Sequence, residues 1–313
     1  METVRCNLCG KAEGVEVYRD DVIRAVICDN CTLVYLNPRA GEAEYEAYYR
    51  TGYQIKRHQI YEYDQAISRL REKRSYEKKQ KYLFDLDGYI NKGSKVLEVG
   101  SGWGTLLRVI KDRYHCEVEG VEPSELATQV SQKHYGIKTN NETLTQYLEK
   151  AGGGKFDVII MHHVLEHFLD PGKILHRLAQ LLNPGGVFYI AVPNVKTPDE
   201  PLDRFFRMEH CFYFSPLTLS LFLKKEGLKI IRLISRPNEM RILAAQETMR
   251  QVVIPEKNYT KEKIIRALRR QERKYRILRA GKKFVRRVLP LSFFIVVRRI
   301  TLRILKRARI VEL

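Results

Sequence analysis

The chain lacks any run close to the ~20 consecutive apolar residues that cross a bilayer as a helix. Its opening residues, Met1-Glu2-Thr3-Val4-Arg5, contain no apolar stretch of the kind that a secretory signal carries. Cysteine is scarce: six in 313 residues cannot staple a disulfide scaffold of this size. A reducing, cytoplasmic setting is the expectation that follows. No internal repeat is visible, which argues against solenoids and propellers. Acidic residues nearly vanish at one end. Residues 257–313 hold 20 Lys and Arg against three Glu, so this segment carries +17 of the chain's +19. The remainder is near neutral, and the basic end needs its own explanation.

With 44% hydrophobic and 30% charged residues, the chain has the composition of a folded protein. From Lys95 onward, short β-branched runs alternate with helical patterns. Strands are expected at 95–99, 117–121, 156–161, 187–192, 228–235 and 240–246, and helices at 103–114, 124–135, 171–182 and 216–226. That alternation predicts a doubly wound α/β fold around a mostly parallel sheet. The last two strands are joined only by Pro237-Asn238 and should form an antiparallel hairpin. The expected organisation is four parts: a metal-binding module over 1–41, a helical Tyr-rich segment over 42–92, the α/β domain over 93–250, and the basic tail over 251–313.

Lys95-Val-Leu-Glu-Val-Gly-Ser-Gly-Trp-Gly104 runs from a strand into glycines and then a helix. Glycines at 100, 102 and 104 permit a sharp turn and leave room for a ligand against the main chain. A dinucleotide fingerprint would place its third glycine at position 105, where Thr105 stands. Glu98 ends the strand and suits the cationic methionine end of S-adenosylmethionine (SAM) better than a pyrophosphate. Glu122 ends the following strand, where a carboxylate can accept ribose hydroxyls from either cofactor. A purely structural glycine turn and another nucleotide cofactor stay open at this level.

Cys6-Asn-Leu-Cys9-Gly10 and Cys28-Asp-Asn-Cys31 form two C-x-x-C pairs separated by 18 residues. Cys6, Cys9, Cys28 and Cys31 are expected to close a structural zinc site of four thiolates, with no open position for chemistry. Candidate proton-handling groups lie in two places: His162, His163, Glu166 and His167 after the third expected strand, and Glu209-His210 before the Phe-Tyr-Phe run. His163, Glu209 and His210 are the catalytic candidates. For His210 a structural hydrogen bond is the alternative, and for Glu166-His167 a capping role.

The order and spacing of four blocks resemble the class I SAM-dependent methyltransferase family. They are Glu98-Val-Gly-Ser-Gly-Trp-Gly104, Gly120-Val-Glu-Pro-Ser124, Phe156-Asp-Val-Ile-Ile-Met-His-His-Val-Leu-Glu-His167 and Leu182-Asn-Pro-Gly-Gly-Val187. A fifth, His210-Cys-Phe-Tyr-Phe-Ser-Pro216, resembles the substrate-side segment of a broad small-molecule and glycan subgroup. The resemblance covers about residues 80–250 and implies a seven-stranded Rossmann-like sheet. It implies that Glu98, Gly100, Ser101, Gly102 and Gly104 hold the methionine part, and that Glu122 and Pro123 form the ribose turn. Asn141, Glu142 and Thr143 would meet the adenine edge, and Met161, His162 and His163 would line the place of the methyl group. Zinc ribbons precede some sugar- and polyketide-type members, in which the ribbon and a Tyr-rich segment cover the cleft. Tyr45, Tyr48, Tyr49 and Tyr53 would serve so here, or simply pack a helix.

The tail mixes its charge with apolar residues, as in Val288-Leu-Pro-Leu-Ser-Phe-Phe-Ile-Val-Val297 between Arg286-Arg287 and Arg298-Arg299. Basic amphipathic segments of this kind lie on anionic membrane surfaces. A peripheral position on the inner face of the membrane is expected from it, with nucleic acid as the weaker partner. The functional expectation is methyl transfer from SAM to a small-molecule, sugar or lipid-linked glycan acceptor. An RNA methyltransferase and an inactive SAM-fold scaffold are the alternatives. Intact Glu98, glycines and Glu122 speak against the scaffold.

Overall fold

The structure is a computed structural model, and it describes residues 1–47, 65–150, 154–246 and 252–288. The expectations for Tyr48, Tyr49, Tyr53 and residues 289–313 lie outside those residues. The chain divides into a compact unit, Met1–Leu268, and a second unit, Arg269–Leu313.

The larger unit is built on a seven-stranded sheet. Its strands are β4 (Lys95–Val99), β5 (Glu117–Val121), β6 (Lys138–Asn140), β7 (Phe156–His162), β8 (Leu182–Val192), β10 (Lys229–Arg236) and β11 (Glu239–Ala245). The spatial order is β10-β11-β8-β7-β4-β5-β6. Pairings among β6, β5, β4, β7 and β8 are parallel, and β11 is antiparallel to both β8 and β10. This is the doubly wound Rossmann-like sheet with its terminal antiparallel hairpin. Central β7 reads as a nearly continuous apolar run because both faces are covered: Val158, Ile159, Ile160 and Met161 are fully buried.

The covering helices are punctuated by their own sequence. Helix α4 (Thr105–Tyr114) follows the glycine turn, and α5 (Glu125–Tyr135) starts on Ser124, whose hydroxyl accepts from the Ala127 amide. Short α6 (Leu144–Lys150) follows β6. Asp170 caps α7 (Pro171–Ala179), and Ser215 with Thr218 forms a capping box on α9 (Pro216–Lys225). Upstream lie α1 (Glu42–Ala47), α2 (Gln65–Gln80) and α3 (Leu83–Leu86); α8 (Leu202–Phe205) precedes β9 (Phe212–Tyr213).

Two boundaries differ from the sequence pattern. The helix expected over 171–182 stops at Ala179, and the strand expected at 187 begins at Leu182. Leu182 pairs with Phe156 and Val187 with Val158, so Asn183-Pro-Gly-Gly186 bulges out between two paired stretches of one strand. A reading that treats Pro-Gly-Gly as a turn cannot see that the strand resumes an earlier pairing. Strand β6 and helix α6 also went unexpected, since three residues and seven residues give too short a pattern.

A second sheet joins the N-terminal strands β1 (Gly14–Arg19), β2 (Arg24–Cys28) and β3 (Val34–Leu36) to β9 in the order β1-β2-β3-β9. Val34 pairs with Tyr213 and Tyr35 with Phe212. One apolar cluster runs from Cys6, Leu8 and Tyr35 through Phe212 and Phe214 into the main-sheet core. The cysteine module therefore shares both a sheet and a core with the α/β domain. The last described helix, α10 (Lys261–Val288), starts within the larger unit, where Ile264 and Leu268 are buried, and Lys261 Nζ lies 2.8 Å from Asp29.

Candidate active site

Ligands in open α/β sheets bind beyond the carboxyl ends of the parallel strands, and the expected cofactor residues converge there. Leaving β4, the chain turns through Gly100, Gly102 and Gly104, all with positive φ. A Cβ on Gly100 would come within 2.6 Å of Val164, whereas one on Gly102 would meet nothing within 4 Å. The backbone at Gly102 thus faces open space that a ligand can use.

Glu122 ties this turn to the next. Its two carboxylate oxygens accept the amides of Gly102 at 2.8 Å and Ser124 at 2.9 Å. A carboxylate oxygen can accept more than one hydrogen bond, so an acid at this corner suits hydroxyl donors. Asn141 braces the same corner from behind, donating its side-chain amide to the carbonyls of Glu122 and Pro123. Glu142 accepts from Lys150 at 3.0 Å through one oxygen, while its other oxygen is buried without a partner.

Glu98 is buried, and its Oε2 has no hydrogen-bond partner. Burial pushes its carboxyl up to about 8, against the pull of Lys79, with the Glu122 charge adding to the rise. Twelve buried side-chain polar atoms lack partners among the described residues, and seven belong to Glu98, Ser101, Glu142, His162, Glu166 and His210. Each such atom costs about 1–3 kcal/mol unless something bonds to it. They are concentrated at this edge of the sheet and in the segments facing it. The set fits the expected cofactor: a buried carboxylate for a cation, an open glycine turn, and Glu122 for ribose hydroxyls.

The histidines form a connected group beside it. Lys79 of α2 reaches His162 Nδ1 at 3.3 Å. Burial holds His162 well below the usual imidazole range, so the neutral ring accepts from Lys79 and carries its proton on Nε2, which has no partner. His163 adopts a left-handed backbone, φ 56°, which is uncommon outside glycine. Its Nε2 lies 3.0 Å from Glu239 Oε2, and its Nδ1 lies 3.4 Å from Glu166 Oε1. The Glu166 contact is an ion pair with poor hydrogen-bond alignment, so both Glu166 oxygens rank among the unpartnered atoms. Burial would lower His163, but the two carboxylates prevail and raise it to about 9. Burial would raise Glu166, yet His163, His167 and His210 bring it down to about 2.

The rings of His167 and His210 meet edge to face, 4.8 Å apart. His167 Nδ1 lies 2.8 Å from the Glu209 carbonyl, so Glu209 enters the group through its backbone. Burial depresses His210 to about 3, which leaves it neutral at pH 7. Met161 lies wholly within the core beneath these residues.

The four module cysteines also come together. Sγ atoms of Cys6 and Cys31 lie 3.4 Å apart and those of Cys9 and Cys28 3.5 Å apart, with all four within 4.8 Å of one another. Gly10, at φ +75°, turns the first knuckle, and its amide donates to the Cys6 carbonyl. Such a donor set fits a tetrahedral, thiophilic divalent cation.

Comparison with known proteins accords with this geometry. Residues 55–233, more than half of the chain, match the family described as methyltransferase domain. The chain belongs to that family. Within it, the methyltransferase domain here is 34% identical over 119 residues to a ubiquinone biosynthesis O-methyltransferase of Caulobacter vibrioides, covering 36% of this chain and 46% of that protein. A protein of the same name from Neisseria meningitidis serogroup C is 28% identical over 139 residues, covering 42% and 57%. The chain spans about half the length of the curated relatives it matches. Among solved structures, a Burkholderia thailandensis 1,6-didemethyltoxoflavin-N1-methyltransferase with bound S-adenosylhomocysteine has a TM-score of 0.49 at 19% identity, covering 74% of this chain and 98% of that one. That likeness is too distant to argue from.

The candidate site also gathers residues that stand outside every motif of the sequence. Lys79 and Tyr82 come from the helical segment before the sheet, and Glu239 and Arg241 from the terminal hairpin. Tyr82 donates to Glu239 at 3.2 Å, and Arg241 pairs with buried Asp85 at 2.5 Å. Each stands outside any motif, and only the sheet order brings the hairpin beside β7's exit.

Proposed function

We propose that the protein transfers a methyl group from SAM to an oxygen of a small-molecule acceptor. The observation that carries this reading is Glu98, a buried carboxylate with an unpartnered oxygen next to an open glycine turn and a ribose-type acid, Glu122. SAM, when bound, supplies an electrophilic sulfonium methyl. The protein's own part is alignment: Glu98 would hold the ammonium, Glu122 the ribose hydroxyls, and the strand-end glycines the chain between them. His163, Glu209 and His210 lie on the acceptor side of this reading. O-methylation is favoured by the ubiquinone biosynthesis O-methyltransferases that the chain resembles.

The acceptor belongs, on the same reading, to sugars or lipid-linked glycans handled at a membrane surface. The strongly basic α10 supports that placement, and no described helix is long and apolar enough to cross a membrane. Zinc at Cys6, Cys9, Cys28 and Cys31 would stabilise the module without entering the chemistry.

The test is isothermal titration of SAM into zinc-replete protein, with Glu122→Ala and NAD as controls. Micromolar SAM affinity that is lost in the variant, with no NAD binding, is the expected result. No SAM binding to the wild type would overturn the reading.

A further inference from the structure

His163 is one of the three catalytic candidates of the sequence, and its surroundings argue against a role as proton acceptor. Both ring nitrogens face carboxylates, Glu239 at 3.0 Å and Glu166 at 3.4 Å. The ring is hydrogen-bonded to Glu239 and ion-paired with Glu166, so the doubly protonated form is favoured, and that form has no nitrogen lone pair for a substrate proton. Glu166 is fully buried and rides on the same turn as His163, three residues on. Glu239 comes from elsewhere: it is the first residue of β11, set opposite Arg236 by the hairpin register.

Glu239 is itself braced, by hydrogen bonds at one oxygen and an ion-pair contact at the other. Tyr82 donates to its Oε2 at 3.2 Å, the atom that also takes His163, and Arg241 Nε lies 3.4 Å from its Oε1. Arg241 is anchored in turn on Asp85, which also accepts from Tyr189 at 3.0 Å. The carboxylate is therefore fixed before any ligand arrives. His163 meanwhile takes a left-handed backbone, φ 56°, with its amide donated to Ala191 at 2.8 Å, which directs the ring toward the hairpin.

We propose that Glu239 is a positioning residue that keeps His163 as a fixed, doubly protonated cation beside the acceptor, rather than as a general base. Its place in methyl transfer rests on the function proposed above; the clamp itself does not. The charged and titratable groups around His163 are His162, Glu166 and His167 on its own segment, Lys79 and Lys81 with Tyr82 from the helical side, Glu239 and Arg241 from β11, and His210 from the segment before β9. The cations among them act through an intermediary. Lys79 contacts His162, and Arg241 contacts the far oxygen of Glu239. The two carboxylates contact the ring directly, so they decide its charge. The raised proton affinity of His163 agrees with this. A fixed positive charge at this position would stabilise an acceptor oxygen that binds as its anion, its proton having passed to solvent, until that oxygen attacks the methyl group.

The experiment follows the imidazole resonances of His163 through a pH titration of the full-length protein, in wild type, Glu239→Gln and Glu239→Asp. The wild-type ring should stay protonated well past neutrality. Glu239→Gln should lower its midpoint by about one unit, a tenfold loss in proton affinity, and Glu239→Asp should recover part of it. The dispersion of the amide resonances on the same samples reports whether each variant is folded, and SAM titration reports cofactor binding separately. Once an acceptor is in hand, the alkaline limb of the rate profile should move with the midpoint. An unchanged His163 midpoint in folded Glu239→Gln overturns the proposal, and so does a wild-type ring that is neutral at pH 7. If the midpoints move as expected but no SAM binds the wild type, the methyl-transfer reading fails and the clamp stands.

Discussion

Tyr35 of the cysteine module is paired directly opposite Phe212 of β9, two residues beyond His210. The same segment is held again where the Cys211 thiol donates to Tyr45 Oη at 3.0 Å, and Tyr45 donates to the Met208 carbonyl at 3.0 Å. Between β2 and β3 stands Cys31, and Cys28 ends β2. The metal-type cluster and the segment carrying His210 are thus separated by a single strand.

That connection predicts a remote effect of metal loss. Chelation, or Cys28→Ser, should release amide protection in Val34–Leu36 and Phe212–Tyr213. A local loss of a few kcal/mol corresponds to about a hundredfold faster exchange. Strands β4 and β5 share no ladder with the module and should keep their protection. Hydrogen exchange read by mass spectrometry checks both halves, and unaltered protection of Phe212–Tyr213 would refute the coupling.

Glu98 predicts a proton released on cofactor binding. Its carboxyl, raised to about 8, is largely protonated at neutral pH in the free protein. An arriving ammonium favours the ionised form, so the proton must leave. The sign follows: affinity for SAM should rise by about tenfold per pH unit up to about pH 8 and flatten above it. Titration calorimetry in two buffers of different ionisation enthalpy should show close to one proton released near pH 7. In Glu98→Gln the affinity should be weaker at pH 8 and its pH slope should disappear.

Helix α10 predicts salt-sensitive attachment to anionic surfaces. Lys261–Val288 carries 13 Lys and Arg against two Glu. Basic residues near such a surface contribute roughly 1 kcal/mol each. Flotation with vesicles containing phosphatidylserine should capture the protein at low salt and lose it at high salt, and truncation before Lys261 should abolish capture. Equal recovery with neutral vesicles would remove electrostatics from the account.

The candidate cofactor turn was legible because its residues are neighbours in sequence. Glu98 and the glycines share one strand-to-helix turn, and Glu122 closes the next. Local geometry alone gives those residue types their use. The cysteine pairs were legible for the same reason, since two knuckles at a fixed spacing have few other purposes. The alternating pattern also foretold most of the parallel strands, because doubly covered strands must be apolar throughout.

What tertiary structure alone decided is which distant groups meet. The sequence shows His163 as a histidine after a strand, with nothing to mark it as cation or base. Its charge depends on Glu239, 76 residues away, and that carboxylate arrives only because β11 inserts antiparallel between β8 and β10. Likewise no pattern in Phe212-Tyr213 reveals that these two residues complete the cysteine module's sheet. Local spacing determined which chemistry the chain could hold, since turns and knuckles are made by adjacent residues. Strand order determined the protonation and bracing of the site, since electrostatic and ladder partners are set by proximity in space.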